Sequence, residues 1–164
     1  MALSTQLLEE ELKKALKEKQ ELRTSTLRML LSALHNAEKD KKYKTQKEEG
    51  LTSEEIESVV ASEAKKRRES IEAFKKADRQ ELVAKEKEEL DILLPFLPEQ
   101  LSEEEVEKLV REAIVSLREM SRRDTSTESL GPKDMGRVMA LLAPKVKGRA
   151  DGSLVSAKVK SLLA

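Results

Sequence analysis

The chain contains no cysteine and only three aromatic residues, Tyr43, Phe74 and Phe96. The absence of cysteine excludes disulfides, thiol nucleophiles and zinc sites built on thiolates. With so few aromatic side chains, a hydrophobic core must consist of Leu, Val, Ile, Ala and Met, a composition that favours packed helices over sheets. The 164 residues are enough for one ordinary domain or two small ones.

Long apolar runs are also missing. No stretch approaches the length needed to cross a bilayer, and the N-terminal sequence MALSTQLLEEELKK has acids among its apolar residues. Such an N-terminus fits neither a secretory signal nor a transit peptide. The sequence therefore predicts a cytoplasmic protein with no membrane contact.

Combinations of residues that support catalysis are scarce. His35 is the only histidine, and no cysteine or second histidine exists to share a metal with it, so we assign it a structural role. Paired carboxylates such as Glu103 and Glu104 stand at predicted helix starts, where capping explains them. There is no Walker-type phosphate loop and no G-x-G-x-x-G. We predict no catalytic residue, no metal and no cofactor.

Charged residues make up 39% of the chain, and the apolar residues between them recur at helical spacing. The pattern predicts a first helix capped by Ser4 or Thr5, and a second from about residue 22 to residue 39. Residues 40–50 are polar and are expected to form a loop. Thr52 with Glu55 is a capping box that opens a third helix, to about residue 77.

Asp78 is placed to cap a fourth helix, which Pro95 and Pro98 end. A second capping box, Ser102 with Glu105, opens a fifth helix, followed by the polar segment SRRDTSTES. The predicted fold is all-α and multihelical. It has two subdomains, an N-terminal helical bundle at 1–98 and a small C-terminal three-helix domain at 99–164.

Four of the five glycines fall between Gly131 and Ser156. Pro132 suits a first helical position, and the periodicity predicts a short helix that stops near Pro144. Gly148 can adopt the positive φ of a reversal, and Asp151 can cap a last helix. The segment KVKGR therefore lies between two short helices.

Basic residues are concentrated in this part of the chain. From residue 131 to the end there are seven Lys or Arg against two acids, although the whole chain balances at 32 and 32. A glycine turn beside a helix N-terminus could offer backbone N–H groups as well as cations to a phosphate. Phosphate binding and a merely solvated loop both remain open, whereas the run Lys65 to Arg68 is expected to be a solvated helix face.

Several segments closely resemble the stand-alone YqeY-like proteins of the GatB/YqeY family. They are RTSTLRML, RRESIEAFKKADR, LPFLPEQLSEEEVEKLV, KDMGRVM and PKVKGRADGSLVS. The resemblance spans essentially the whole chain and implies a multihelical fold in two parts. Its C-terminal part is similar to the tail domain of the GatB subunit of tRNA-dependent amidotransferase, a glutamine-dependent carbon–nitrogen ligase, and that tail contacts the tRNA body.

The resemblance implies a set of tRNA-facing residues but no chemistry, because the family's amidase and kinase activities belong to other domains. The implied residues are Lys145, Lys147, Gly148 and Arg149, with Lys133, Arg137, Lys158 and Lys160 as neighbours.

Three hypotheses follow from the sequence. The first is a tRNA-binding or amidotransferase-associated accessory protein, with tRNA and possibly amidotransferase or aminoacyl-tRNA synthetase machinery as partners. The second is a helical protein–protein interaction module whose cations only solubilise it. The third is a component of an amidotransferase enzyme.

Overall fold

The computed structural model describes residues 2–123 and 130–164, with the side chains of all of these except 122 and 123. The predicted all-α fold is confirmed, since the described residues form helices and no strands. The helices are α1 (Thr5–Lys17), α2 (Glu21–Thr45), α3 (Ser53–Lys76), α4 (Gln80–Leu93), α5 (Glu103–Arg123), α6 (Met135–Val146) and α7 (Gly152–Leu163). Short 3-10 helices, Leu94–Phe96 and Pro132–Asp134, follow α4 and precede α6.

The helices are grouped in two compact units, Met1–Leu97 and Pro98–Ala164. In the first unit α1 packs along α2, and α3 forms a close hairpin with α4. Its core consists of aliphatic side chains that are almost completely buried. They are Leu8, Ala15, Leu27, Leu30, Leu34, Ile56, Val60 and Leu93.

The second unit has a separate core, in which α5 packs against both α6 and α7. Its fully buried residues are mostly valines: Val106 and Val110 from α5, Val138 and Leu142 from α6, and Val155 and Val159 from α7. The spacing of four residues within each pair places both members on one face of their helix. The narrow apolar stripes of α5, α6 and α7 therefore pack together and form a single core.

Helix starts follow the capping signals of the sequence. The Ser4 hydroxyl accepts the Leu7 N–H at 3.3 Å. Thr52 and Glu55 form the predicted capping box, and Ser102 and Glu105 form another, in which Glu105 Oε2 accepts the Ser102 N–H at 2.7 Å. Each box satisfies backbone N–H groups that the helix itself leaves unpaired.

Two helix boundaries in the first unit differ from the prediction. Helix α2 continues into the expected loop as far as Thr45, and the C-cap residue Gln46 has φ 57°. Asp78 does not cap α4. With φ 53° it closes α3, since the Arg79 N–H donates to the Phe74 carbonyl and the Asp78 N–H to the Lys75 carbonyl. This is a Schellman ending, and Asp tolerates the left-handed conformation better than most residues do.

Helix α6 also extends beyond its predicted end. It passes through Pro144 and stops at Val146, which is buried against the core of the second unit. Pro144 cannot donate to the carbonyl of Ala140, but Ala140 is exposed, so water can take the place of that donor. Burial of Val146 thus favours one more helical turn. Helix α5 likewise includes the first three residues of the polar segment 121–129, of which residues 124–129 lie outside the described part.

Replacing Gly148 by alanine should destabilise the second unit. Gly148 has φ +70°, and a left-handed conformation costs an L-residue about 1–2 kcal/mol. An added Cβ would lie 3.7 Å from Pro98 Cδ, which is an ordinary contact, so the backbone conformation is the cause. Gly136→Ala is the control, because nothing lies within 4 Å of its added Cβ. Chemical denaturation should show a lower free energy of unfolding for Gly148→Ala, whereas Gly136→Ala, inside α6, should leave it unchanged or raise it by up to about 1 kcal/mol.

Candidate nucleic-acid interface

The connection between α6 and α7 is a tight turn. The Lys147 N–H donates to the Ala143 carbonyl, and the N–H groups of Arg149 and Ala150 both donate to the Val146 carbonyl. Gly148 supplies the predicted left-handed residue. The segment KVKGR is therefore an ordered turn whose backbone is internally hydrogen-bonded.

Residues at the start of the second unit hold this turn in place. The Leu101 N–H donates to the Arg149 carbonyl at 2.7 Å, and Gln100 Nε2 donates to the Gly148 carbonyl at 2.7 Å. Arg149 Nε donates in return to the Glu99 carbonyl at 3.2 Å. We call these three hydrogen bonds the clasp. They join segments about fifty positions apart and fix where the turn can present its side chains.

The clasp and the turn leave little for an anion to bind through the backbone. Asp151 caps α7 as predicted, and its Oδ1 accepts the Ser153 N–H at 2.8 Å. The N–H groups of Lys147, Arg149 and Ala150 already have partners. The expectation that a glycine turn beside a helix N-terminus would offer its N–H groups to a phosphate is therefore wrong for these groups. These backbone groups are therefore not open to a phosphate, and the side-chain cations are the stronger candidates for such a contact.

Lys145 and Lys147 are the best placed of these side chains. Both are exposed. Lys145 lies in the last turn of α6, and Lys147 directly follows the helix. In residues 2–123 and 130–164 neither ammonium group forms an ion pair. Arg149 is partly buried, and one guanidinium N–H belongs to the clasp.

The other candidates are distributed over the second unit rather than gathered at the turn. Lys133 and Arg137 lie at the opposite end of α6, where Arg137 Nη1 is 3.3 Å from Asp134 Oδ1. Lys158 on α7 is held between Glu103 at 3.9 Å and Glu107 at 3.5 Å. Lys160, two positions later, is exposed. Acids of the same unit thus partly neutralise Arg137 and Lys158.

Lys145 also borders an open groove of about 740 Å³ along α5. The other charged residues of the groove are Glu104, Glu107, Lys108, Arg111 and Glu112. With Lys145 included, three acids face three bases. Because the charges balance, the groove itself has little attraction for a polyanion.

The Lys65 to Arg68 run is only in part the solvated face that we expected. Lys65 and Lys66 are exposed, but Arg67 is largely buried against α4, with its Nε 2.9 Å from Glu89 Oε2 and 3.8 Å from Glu86 Oε2. The shorter contact is an ion pair whose geometry falls short of a hydrogen bond. Arg67 therefore links α3 to α4, a contact that local sequence patterns do not predict because the partners lie about twenty residues away.

His35 is exposed on α2. No group of three or more metal-ligating side chains comes together in the part of the chain that the structure describes. None of the helices described there combines the length and apolar character that a bilayer crossing requires.

Comparison with known proteins assigns the chain to a family. A family model described as Yqey-like protein matches residues 5–163. The chain belongs to this family. The match covers both units, so the predicted family resemblance is confirmed.

Three relatives of this YqeY-like chain bear the name "Altered inheritance of mitochondria protein 41, mitochondrial". The protein from Pyrenophora tritici-repentis is 30% identical over 159 residues, which cover 95% of the chain and 78% of the relative. That from Lachancea thermotolerans is 31% identical over 154 residues, which cover 93% of the chain and 76% of the relative. The third, from Kluyveromyces lactis, is 36% identical over 115 residues, 68% of the chain and 59% of that relative.

These names contradict the predicted cytoplasmic location. All three relatives are named as mitochondrial proteins. The prediction was wrong because it depended on the composition of the N-terminal residues, which carries little information about the compartment in which a fold family works.

Acid should weaken the start of α6 through Asp134. Its pKa is held below the ordinary value by the hydrogen bond from the Gly131 N–H and, less strongly, by Arg137. A pKa lowered by folding adds stability above the unfolded-state pKa of about 4, and this stability is lost as the pH falls through the folded value.

The variant Asp134→Asn cannot ionise and isolates this effect. Wild type should be more stable than the variant near neutral pH, and the difference should shrink once the pH falls below about 4. Thermal unfolding of both proteins across this range is the measurement. A difference that stayed constant with pH would exclude the Asp134 carboxylate as its source.

Proposed function

We propose that this YqeY-like protein binds a structured RNA, and tRNA first of all, through cations of its second unit. The observation that carries the proposal is the exposure of Lys145, in the last turn of α6, and of Lys147, at the start of the turn that the clasp fixes, both without ion-pair partners in the described residues. Cations carried by an ordered backbone lose less conformational entropy on binding a phosphate than cations on a disordered tail would. In this proposal the protein is an accessory RNA-binding protein, and any reaction on the RNA is catalysed by partner proteins.

Charge distribution supports the C-terminal end as the contact region. Between residues 131 and 164, Asp134 and Asp151 are the only acids. Both are engaged locally, Asp134 with Gly131 and Arg137 and Asp151 as the cap of α7. A phosphate backbone approaching this region therefore meets an excess of positive charge, and counterion release makes such binding sensitive to salt.

Replacing Lys145 and Lys147 together by glutamine should weaken binding of unfractionated tRNA. Both side chains are exposed and unpaired in the described residues, so the fold should not change. We expect the affinity at low salt to fall about tenfold, and the slope of log K against log salt to become shallower by about 1 to 2. Fluorescence anisotropy with labelled tRNA at several salt concentrations measures both quantities.

The double variant Lys13→Gln, Lys14→Gln removes the same charge from an exposed part of α1. It should bind tRNA as wild type does. Equal losses in the two double variants would mean that only net charge matters, and the assignment to the turn would be rejected. No binding by the wild type at low salt would reject the proposed function itself, and a stoichiometric protein partner without RNA would favour an interaction module instead.

A further inference from the structure

One exposed row along α6 carries positive charge at both ends and no charge of either sign between them. Four exposed residues at successive helical spacings form it, Arg137, Ala140, Pro144 and Lys147, and we call them the α6 crest. Arg137 in α6 and Lys147, which directly follows the helix, are ten positions apart, or about 15 Å along the helix axis. Along this row only the small, uncharged side chains of Ala140 and Pro144 lie between the two cations, and the exposed Leu141 and Lys145 lie beside the row.

The α6 crest differs from the other long surface of the same unit. Helix α5 presents the acids Glu104, Glu112 and Glu119 to solvent together with the bases Lys108, Arg111 and Arg118, so a phosphate backbone finds no net attraction there. Helix α6, from Met135 to Val146, contains no acid at all. The ion pair of Arg137 with Asp134 uses one guanidinium N–H, and more than half of the Arg137 side chain remains exposed for another contact. The charge distribution therefore favours binding of a polyanion to the surface of α6 over binding to the surface of α5.

The kind of RNA follows from what the second unit lacks. All three aromatic residues of the chain, Tyr43, Phe74 and Phe96, precede Pro98. Single-stranded nucleic acid is held largely by stacking of bases on aromatic rings, which this unit cannot supply. Ala140 and Pro144 have no side-chain donor or acceptor to read a base edge. The second unit can therefore recognise RNA only by the charge of its backbone and by its shape.

We propose that the α6 crest docks on double-helical RNA and recognises its A-form shape. This inference rests on the proposed function and narrows its ligand from RNA in general to an RNA stem. The small side chains of Ala140 and Pro144 allow the helix to approach the wide, shallow minor groove, and Arg137 and Lys147 meet phosphates at the two ends of the contact.

The ligand comparison needs no variant. The probes are an RNA hairpin with a stem of about 16 base pairs, a DNA hairpin of the same sequence, and one strand of the RNA stem alone. The wild-type chain should bind the RNA hairpin at least about fivefold more tightly than either of the others. Binding of the DNA hairpin or of the single strand as tight as that of the RNA hairpin would overturn the inference.

The variant Ala140→Glu places a carboxylate at the centre of the α6 crest, and alanine and glutamate are both good helix formers. It should weaken binding of the RNA hairpin at least about tenfold, because like charges meet at the contact. Ala140→Gln has the same size without the charge and should stay within about threefold of wild type. Ala84→Glu adds the same charge at an exposed position of α4 and should have no effect.

These outcomes separate the inference from the proposed function. If Ala140→Glu bound the RNA hairpin as wild type does, while Lys145→Gln with Lys147→Gln lost tRNA, the α6 crest would be rejected and tRNA binding would stand. If the wild type bound neither tRNA nor the hairpin at low salt, both would be rejected. Circular dichroism of each variant confirms that the helices are retained.

Discussion

Burial of narrow aliphatic stripes is the constraint on which the rest of this structure depends. A chain with 39% charged residues and almost no aromatics can only exclude water along lines of Leu, Val, Ile and Ala that face one another. Each unit satisfies this with its own core, one rich in leucine and one rich in valine. The charged faces are left to solvent, and differences in their sign decide which surface can meet a polyanion.

The sequence predicted the helices well because their signals are local. Capping boxes at Thr52 and Ser102, the cap at Asp151 and the left-handed Gly148 each depend on residues within a few positions of one another. Apolar periodicity also depends only on nearby spacing. Local consistency of this kind is typical of a sequence that specifies one fold.

Two of the errors have a common cause, since each involves a choice between two local options that tertiary contacts decided. Asp78 suits both an N-cap and a left-handed helix ending, and the close α3–α4 hairpin requires the latter. Pro144 favours a stop, but burial of Val146 outweighs it. At the candidate site the cations were visible in the sequence, whereas the ion pairs of Arg137 and Lys158 were not predicted from it.

The clasp has a consequence for how the C-terminal region can be studied. A synthetic peptide from Gly131 to Ala164 would contain every cation of the candidate surface. It would lack Gln100 and Leu101, and with them the groups that hold the carbonyls of Gly148 and Arg149. Such a fragment would reproduce the charge of the region without its geometry, and any truncated form that keeps this surface intact has to begin before Pro98.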